Sequence, residues 1–218
     1  MTTVAKFSLP PRGKSPSRTI PHIHRLFVVD DVRALADACT AIDPPAIIGA
    51  GSGIDEEGKM VGLPTAWLDQ INESQQFDAV LVEADNAASR LFKVPEENEP
   101  VVPKSCQRAV WIMAIKALGQ PLDDRSVHGA ERARELLGAG LGAALSENFV
   151  VELVRHPQGC LKGIPQNSSK VALINQADTP EEIQRAKALG EKLLLQGIDR
   201  IVVASYASAD PVKESFFQ

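Results

Sequence analysis

Four short stretches of this sequence carry side chains that could do chemistry. Glu83-Ala84-Asp85-Asn86 closes the apolar run AVLVEA (79–84). A carboxylate at a strand end can hold a magnesium ion, directly or through water, or can orient a water molecule. It can equally cap the turn that follows, and the residues alone leave both readings open. Asn175-Gln176-Ala177-Asp178 follows the run KVALIN (170–175). GTP-binding proteins often carry Asn-Lys-x-Asp in such a place, where the Asp accepts hydrogen bonds from guanine N1 and N2 and the Asn braces the loop. Here Gln176 stands where that Lys would stack on the base. The alternative is that Asp178 and Thr179 only start the next helix. Ser205-Tyr206-Ala207 ends the run RIVVAS (200–205) one helix later. A Ser-Ala turn there often supports a guanine from below, and an ordinary loop has the same pattern. HPQGCLKGIP (156–165) sets Lys162 between Gly159 and Gly163, either available to an anion or solvated on a connector.

Other stretches fail on chemical grounds. GAGSG (49–53) lacks the Lys-Ser/Thr that ends a phosphate-binding loop. PRGKS (11–15) has Gly-Lys-Ser, but no first glycine at the required spacing, no preceding strand, and Pro16 immediately after it. Such a loop needs a strand, a nest of backbone N–H groups and a helix start. His22 and His24 could begin a metal site, but no third ligand is near in sequence, and surface or edge positions fit them better. His128 and His156 are isolated, and nothing supports a Ser-His-Asp or Cys-His enzyme.

The elements that must position these residues can be read from the pattern. The chain has 218 residues, 44% hydrophobic and 23% charged, which suits a folded α/β protein rather than a disordered one. Its net charge of -5 comes without a Lys/Arg-rich stripe, so no nucleic-acid partner is expected. No apolar run approaches the ~20 residues that span a bilayer, and the first residues lack a signal-peptide core. Cys39, Cys106 and Cys160 form no CxxC pair. A reducing, cytoplasmic setting is the expectation.

Residues 1–24, with four prolines between 8 and 21, read as an extended segment before a single α/β domain over 25–218. RLFVVDD (25–31), PAIIGAG (45–51), AVLVEA (79–84), RAVWIMAI (108–115), KVALIN (170–175) and RIVVAS (200–205) read as strands. GSGIDEEGKMVG (51–62) reads as a hairpin or loop. Helices are expected over 32–42, 64–73, twice within 127–156, and over 179–197, where Thr179, Pro180 and Glu182 make a capping box. Apolar strands alternating with amphipathic helices predict a three-layer α/β fold, with a mainly parallel sheet and helices on both faces. In such sheets ligands bind beyond the carboxyl ends of the strands, where all four candidate stretches but the Lys162 loop fall.

Taken together, the motifs resemble the selenium-dependent hydroxylase accessory family, the YqeC-like proteins. DAVLVEADNAASRLFKVPEENEPVVP (78–103) resembles the family's hallmark segment, while VHGAE (127–131), HPQGCLKGIP (156–165) and ALINQAD (172–178) match later blocks in order. TTVAKFSLPP (2–11) looks like the Thr-rich segment after the family's second strand. The resemblance implies a P-loop NTPase-like fold and a role in maturing molybdenum hydroxylases. It implies that Glu83 and Asp85 lie near magnesium, that Lys93 lies in the same loop, and that Asn175 and Asp178 recognise a base. Relatives open on a strand, a Gly-Lys-Thr loop and a helix, and this chain is expected to begin after all three. The family's Ala-Asp-Gly-Ala becomes Ala84-Asp85-Asn86-Ala87, its Gly before Arg becomes Ser89, and its His-Glu-Pro becomes Asn98-Glu99-Pro100.

The resulting expectation is an accessory protein with a degenerate nucleotide site. That site is built from Glu83, Asp85, Lys93, Lys162, Asn175, Asp178 and Ser205, for a nucleotide with Mg. Its partner would be a client hydroxylase or a maturation protein. An active GTP- or ATP-hydrolysing factor truncated at its N-terminus, and a non-catalytic interaction scaffold, are the alternatives. Without the opening strand, the remaining strands are expected to close up, or a second copy or another chain to cover the edge.

Overall fold

The computed structural model describes residues 7–8 (backbone only), 23–140 and 142–218. PRGKS, His22 and most of the proline-rich opening lie outside the described residues. Within the span read as one domain, two units separate: Met1–Asn86 with Val101–Ser105, and Ala87–Pro100 with Cys106–Gln218.

The first unit holds β1 (Phe7–Ser8), β2 (Arg25–Val28), α1 (Val32–Thr40), β3 (Ile48–Gly51), β4 (Gly53–Ile54), β5 (Lys59–Val61) and α2 (Thr65–Ser74). Asp31 starts α1 because its carboxylate accepts the Ala34 N–H at 2.9 Å, satisfying a donor that the helix cannot. β2 and β3 pair in parallel from Arg25↔Ile48 to Val28↔Gly51. The expected hairpin forms from β4 and β5, and Asp55 fixes its turn by accepting the N–H groups of Glu57 (3.0 Å) and Lys59 (2.8 Å). β1 adds to β5 antiparallel. Val29, Leu35, Leu63, Leu68 and Ile71 form the core of this unit.

One expected strand is not there. Ala79–Ala84 is extended apolar sequence, yet it joins no ladder. Among the described residues, only its Ala84 carbonyl accepts a backbone hydrogen bond, from Val101 N–H at 3.0 Å. Val82 packs against the unit's core, whereas Leu81 is 96% exposed. A cavity of about 170 Å³ runs beside the segment, lined by Leu35, Ala50, Leu68, Phe77 and Val80 among others. Apolarity predicts burial, but a strand also needs a neighbour to accept its hydrogen bonds. Among the described residues none flanks this one. The strands therefore do not close up: β2–β3 is one ladder, the second unit's sheet is another, and Ala79–Ala84 belongs to neither.

The second unit holds β6 (Phe92–Lys93), β7 (Arg108–Ala114), a 3-10 turn (Ile115–Ala117), β8 (Val127–His128), α3 (Ala130–Leu137), α4 (Glu147–Arg155), β9 (Ser169–Asn175), α5 (Pro180–Leu194), β10 (Arg200–Ala204) and β11 (Val212–Phe217). Its main sheet has the order β11-β10-β9-β7, with β7, β9 and β10 parallel and β11 antiparallel at the edge. Alternation along the strands decides what each face does. Met113, Ala172, Ile174, Ile201 and Val203 are buried and belong to one cluster with Val150 and Leu153 of α4 and Ala186, Leu189 and Leu193 of α5. Phe92 meets Trp111 edge to face at 5.9 Å. On the other face of β7, Val110 and Ile112 are 50% and 57% exposed. Among the described residues, the second helical layer expected from the sequence is not seen on this face of β7. The fold is α/β and mostly parallel, and the buried residues of α3, α4 and α5 share one cluster with one face of this sheet.

Candidate functional site

The carboxyl ends of the three parallel strands β7, β9 and β10 each deliver one polar residue to a common cluster. β9 ends at Asn175, whose Oδ1 accepts the Gln176 N–H at 2.7 Å. That bond braces a turn in which Gln176 takes a left-handed φ of 59°. Ala177 N–H then donates to the Ala204 carbonyl at 3.0 Å, which ties the turn to the end of β10. The next residue, Asp178, is thereby carried to the mouth of both strands.

Three groups hold Asp178. Ser205, 2% exposed just past β10, donates its hydroxyl to Oδ1 at 2.6 Å. Lys116, just past β7, bonds Oδ2 through its ammonium. The Asp178 N–H donates to Glu182 Oε2 at 2.8 Å. Glu182 also takes the Thr179 N–H at 3.0 Å, and Thr179 Oγ1 accepts the Glu182 N–H at 3.2 Å, so the capping box that starts α5 also fixes the site. The Lys116 ammonium and then the Ser205 hydroxyl hold the Asp178 carboxyl below its ordinary value. Asp178 in turn raises Lys116. The pair stays ionised around neutrality, with side chains 31% and 41% exposed.

Of the residues read from sequence, Asn175, Asp178 and Ser205 are therefore brought together. Asp178 directly precedes the Thr179 cap of α5, and its carboxylate lies at the strand ends. Lys116 was missed. The strand-end rule that pointed to the others applies equally to IKA after RAVWIMA, but the lysine sits in no motif.

Lys93 and Lys162 do something else. Lys93 is 8% exposed and its Nζ lies 2.6 Å from Glu99 Oε2. Glu99 also accepts the Glu96 N–H at 3.2 Å. Lys162 Nζ donates to the Glu96 and Glu97 carbonyls at 2.5 and 2.9 Å. Both lysines thus hold one loop, 96–99, in place. Lys93 pairs across from His128, and the following Gly129 has φ +77°, with a Cβ there falling 2.5 Å from the Val94 carbonyl oxygen. That explains the glycine in VHGAE.

Burial alone would raise the Glu99 carboxyl. The Lys93 ammonium, the Glu96 N–H and His128 outweigh it and bring the group below its ordinary 4.5. A depressed folded value means that the contribution is full above pH 4.5 and is lost as pH falls through the depressed value. Lys93→Met leaves Glu99 without its ammonium partner. It is expected to cost about 1–3 kcal/mol, less than for a fully buried pair because Glu99 keeps some exposure to water. Thermal melts from neutral pH down to pH ~3 should show a flatter acid limb in Lys93→Met than in wild type.

In the first unit, Asn86 organises the acidic pair. Its side-chain N–H donates to Glu83 Oε1 at 2.8 Å, and its backbone N–H to Asp85 Oδ1 at 2.9 Å. These are the turn-capping contacts foreseen as one of the two readings. Among the described residues, no group of three or more His, Cys, Asp or Glu side chains forms a ready-made metal site. No described helix is long and apolar enough to cross a membrane. His24 is tied into the structure through Nδ1, which accepts the Ile47 N–H at 2.9 Å.

Comparison with known proteins adds to this geometry. Residues 2–131 match the model of a family described as YqeC protein. A relative from Escherichia coli K12, "Uncharacterized protein YqeC", is 31% identical over 144 residues, 66% of this chain and 54% of that protein. The chain therefore spans about half the length of that curated relative. The family match ends before Lys162, Asn175, Asp178 and Ser205. No solved structure matches the chain.

Proposed function

Because the chain belongs to the YqeC family, we propose that it is an accessory protein in molybdenum-hydroxylase maturation, selenium-dependent enzymes among its clients, and that its Asp178 site binds a guanine nucleotide whose phosphates it grips weakly. One observation supports the nucleotide reading above the rest. Asp178 is an ionised carboxylate pinned by Ser205 and Lys116 at the convergent ends of three parallel strands. A carboxylate has about four lone-pair positions, and the two bonds seen leave one on each oxygen. Guanine offers two adjacent donors, N1–H and N2–H, to such a pair. Adenine presents an acceptor at N1 and is repelled. The acceptor pair fits a guanine edge.

The phosphate end is the degenerate part. Lys162, the lysine offered to an anion, holds the 96–99 loop together with Lys93. Glu83 and Asp85, in the first unit, are hard oxygen ligands of the kind Mg²⁺ takes. Calorimetric titration of the chain with guanosine, GDP, GTP and ATP, with and without Mg²⁺, tests this reading. Guanine ligands should bind, ATP should not, and GDP and GTP should differ by less than about tenfold, since phosphate contacts alone separate them. ATP binding as tightly as GTP, or no guanine ligand binding, overturns it. A scaffold without a small-molecule site is the second reading, favoured by the apolar segment Ala79–Val82, which joins no ladder among the described residues.

A further inference from the structure

We propose that Lys116 is a specificity-determining residue of the Asp178 site, whose ammonium reads the 6-keto oxygen of a purine; this rests on the base-binding reading above. Lys116 occupies the 3-10 turn directly after β7, so the sheet itself carries it to the cluster. Its ammonium has three donors. Asp178 Oδ2 takes one of them, while Glu182 Oε1 at 3.9 Å is beyond hydrogen-bond length. With one donor engaged by Asp178 and a side chain 41% exposed, Lys116 has donors left for a ligand.

The alternative role is a plain ion pair that holds the carboxylate still. An exposed pair of that kind contributes little to stability, and Ser205 and the backbone at Asp178 already fix the group. What Lys116 adds is a row of polar groups: an ammonium donor, the adjacent Oδ2 acceptor, then Oδ1. A purine edge that answers it carries a carbonyl oxygen, then N–H, then N–H. Guanine has that sequence at O6, N1 and N2. Hypoxanthine has the first two. Adenine inverts the first two positions, so both oxygen and ammonium reject it. Lys116 thus reads a position that Asp178 cannot, and the two divide the base between them.

The test compares guanosine, 6-thioguanosine and inosine on the full chain by calorimetry at slightly acidic pH. Sulfur in place of O6 changes only the atom assigned to Lys116, and inosine removes only the N2 donor assigned to Asp178. Wild type should prefer guanosine to 6-thioguanosine by about tenfold, the scale of a charge-assisted hydrogen bond. In Lys116→Met that ratio should fall close to one, while the guanosine-to-inosine ratio stays at its wild-type value. Lys116→Arg should restore part of the thio discrimination. If Lys116→Met instead weakens all three ligands by one common factor, Lys116 only positions Asp178; the inference fails and the base-binding reading survives. If wild type binds none of the three, both fail. A thermal melt of each variant shows that the fold is intact.

Discussion

Asp178→Ala is expected to weaken guanosine binding by roughly ten- to a hundredfold while leaving the melting temperature nearly unchanged. The split between the two readouts follows from position. Binding loses both acceptors at once, because the two oxygens belong to one group. Folding loses little, because Asp178 and Lys116 are partly exposed and water replaces each for the other. The Thr179–Glu182 capping box that starts α5 does not depend on the Asp178 side chain. Asp178→Asn is the sharper variant. It keeps the shape but supplies one acceptor in place of two, and it should lose guanosine nearly as far. Calorimetry beside differential scanning fluorimetry measures both quantities on one sample. Equal guanosine affinity in wild type and Asp178→Ala would remove the carboxylate from any role in recognition.

Gly159→Ala should have the largest effect on folding. The glycine lies in HPQGCLKGIP, where the chain doubles back under the end of α4. A Cβ at this position would fall 1.8 Å from the Leu153 carbonyl oxygen and 3.1 Å from that of His156. Both neighbours are backbone and neither can swing aside. The Leu153 carbonyl also accepts the Cys160 N–H at 3.0 Å, and Leu153 itself is fully buried in the main core. Relieving the clash means moving the last turn of α4 or breaking that bond. A cost of about 3 kcal/mol follows, or about 6–12 °C in melting temperature for a chain of this size. Urea denaturation followed by circular dichroism checks it. A variant as stable as wild type would show that the close approach is not maintained in solution. Gly159 in this stretch thus has a packing cause, independent of any anion binding by Lys162.

Local chemistry made much of this molecule legible. The Thr179–Glu182 box, the Asp31 cap, the Asp55 hairpin turn and the strands around Val171, Ile201 and Trp111 are all dictated by residues within a few positions. The meeting of Asn175, Asp178 and Ser205 was legible as well. Parallel strands joined by one helix must present their ends on the same side. What could not be read was pairing across long separations. Lys93 meets Glu99 and Lys162 meets the carbonyls of Glu96 and Glu97, partnerships that no spacing announces. Lys116 and Asp178 are 62 positions apart. Ala79–Ala84 shows the converse limit. Its composition states a strand, but a ladder is a property of two segments, and composition describes only one.

That segment has a consequence for how copies of the chain meet one another at high concentration. Ala79–Ala84, with five of its six residues uncharged and its main chain in no ladder among the described residues, is the kind of stretch on which fibrils nucleate. Its borders oppose this. Stacking identical segments in parallel register would set Asp78 on Asp78, Glu83 on Glu83 and Asp85 on Asp85, three rows of like charge at about 4.8 Å spacing. The acidic residues within and beside the run, whatever else they bind, act as gatekeepers against self-templated assembly. Removing their charge, by mutation or by acid, strips that protection from an otherwise sticky ribbon.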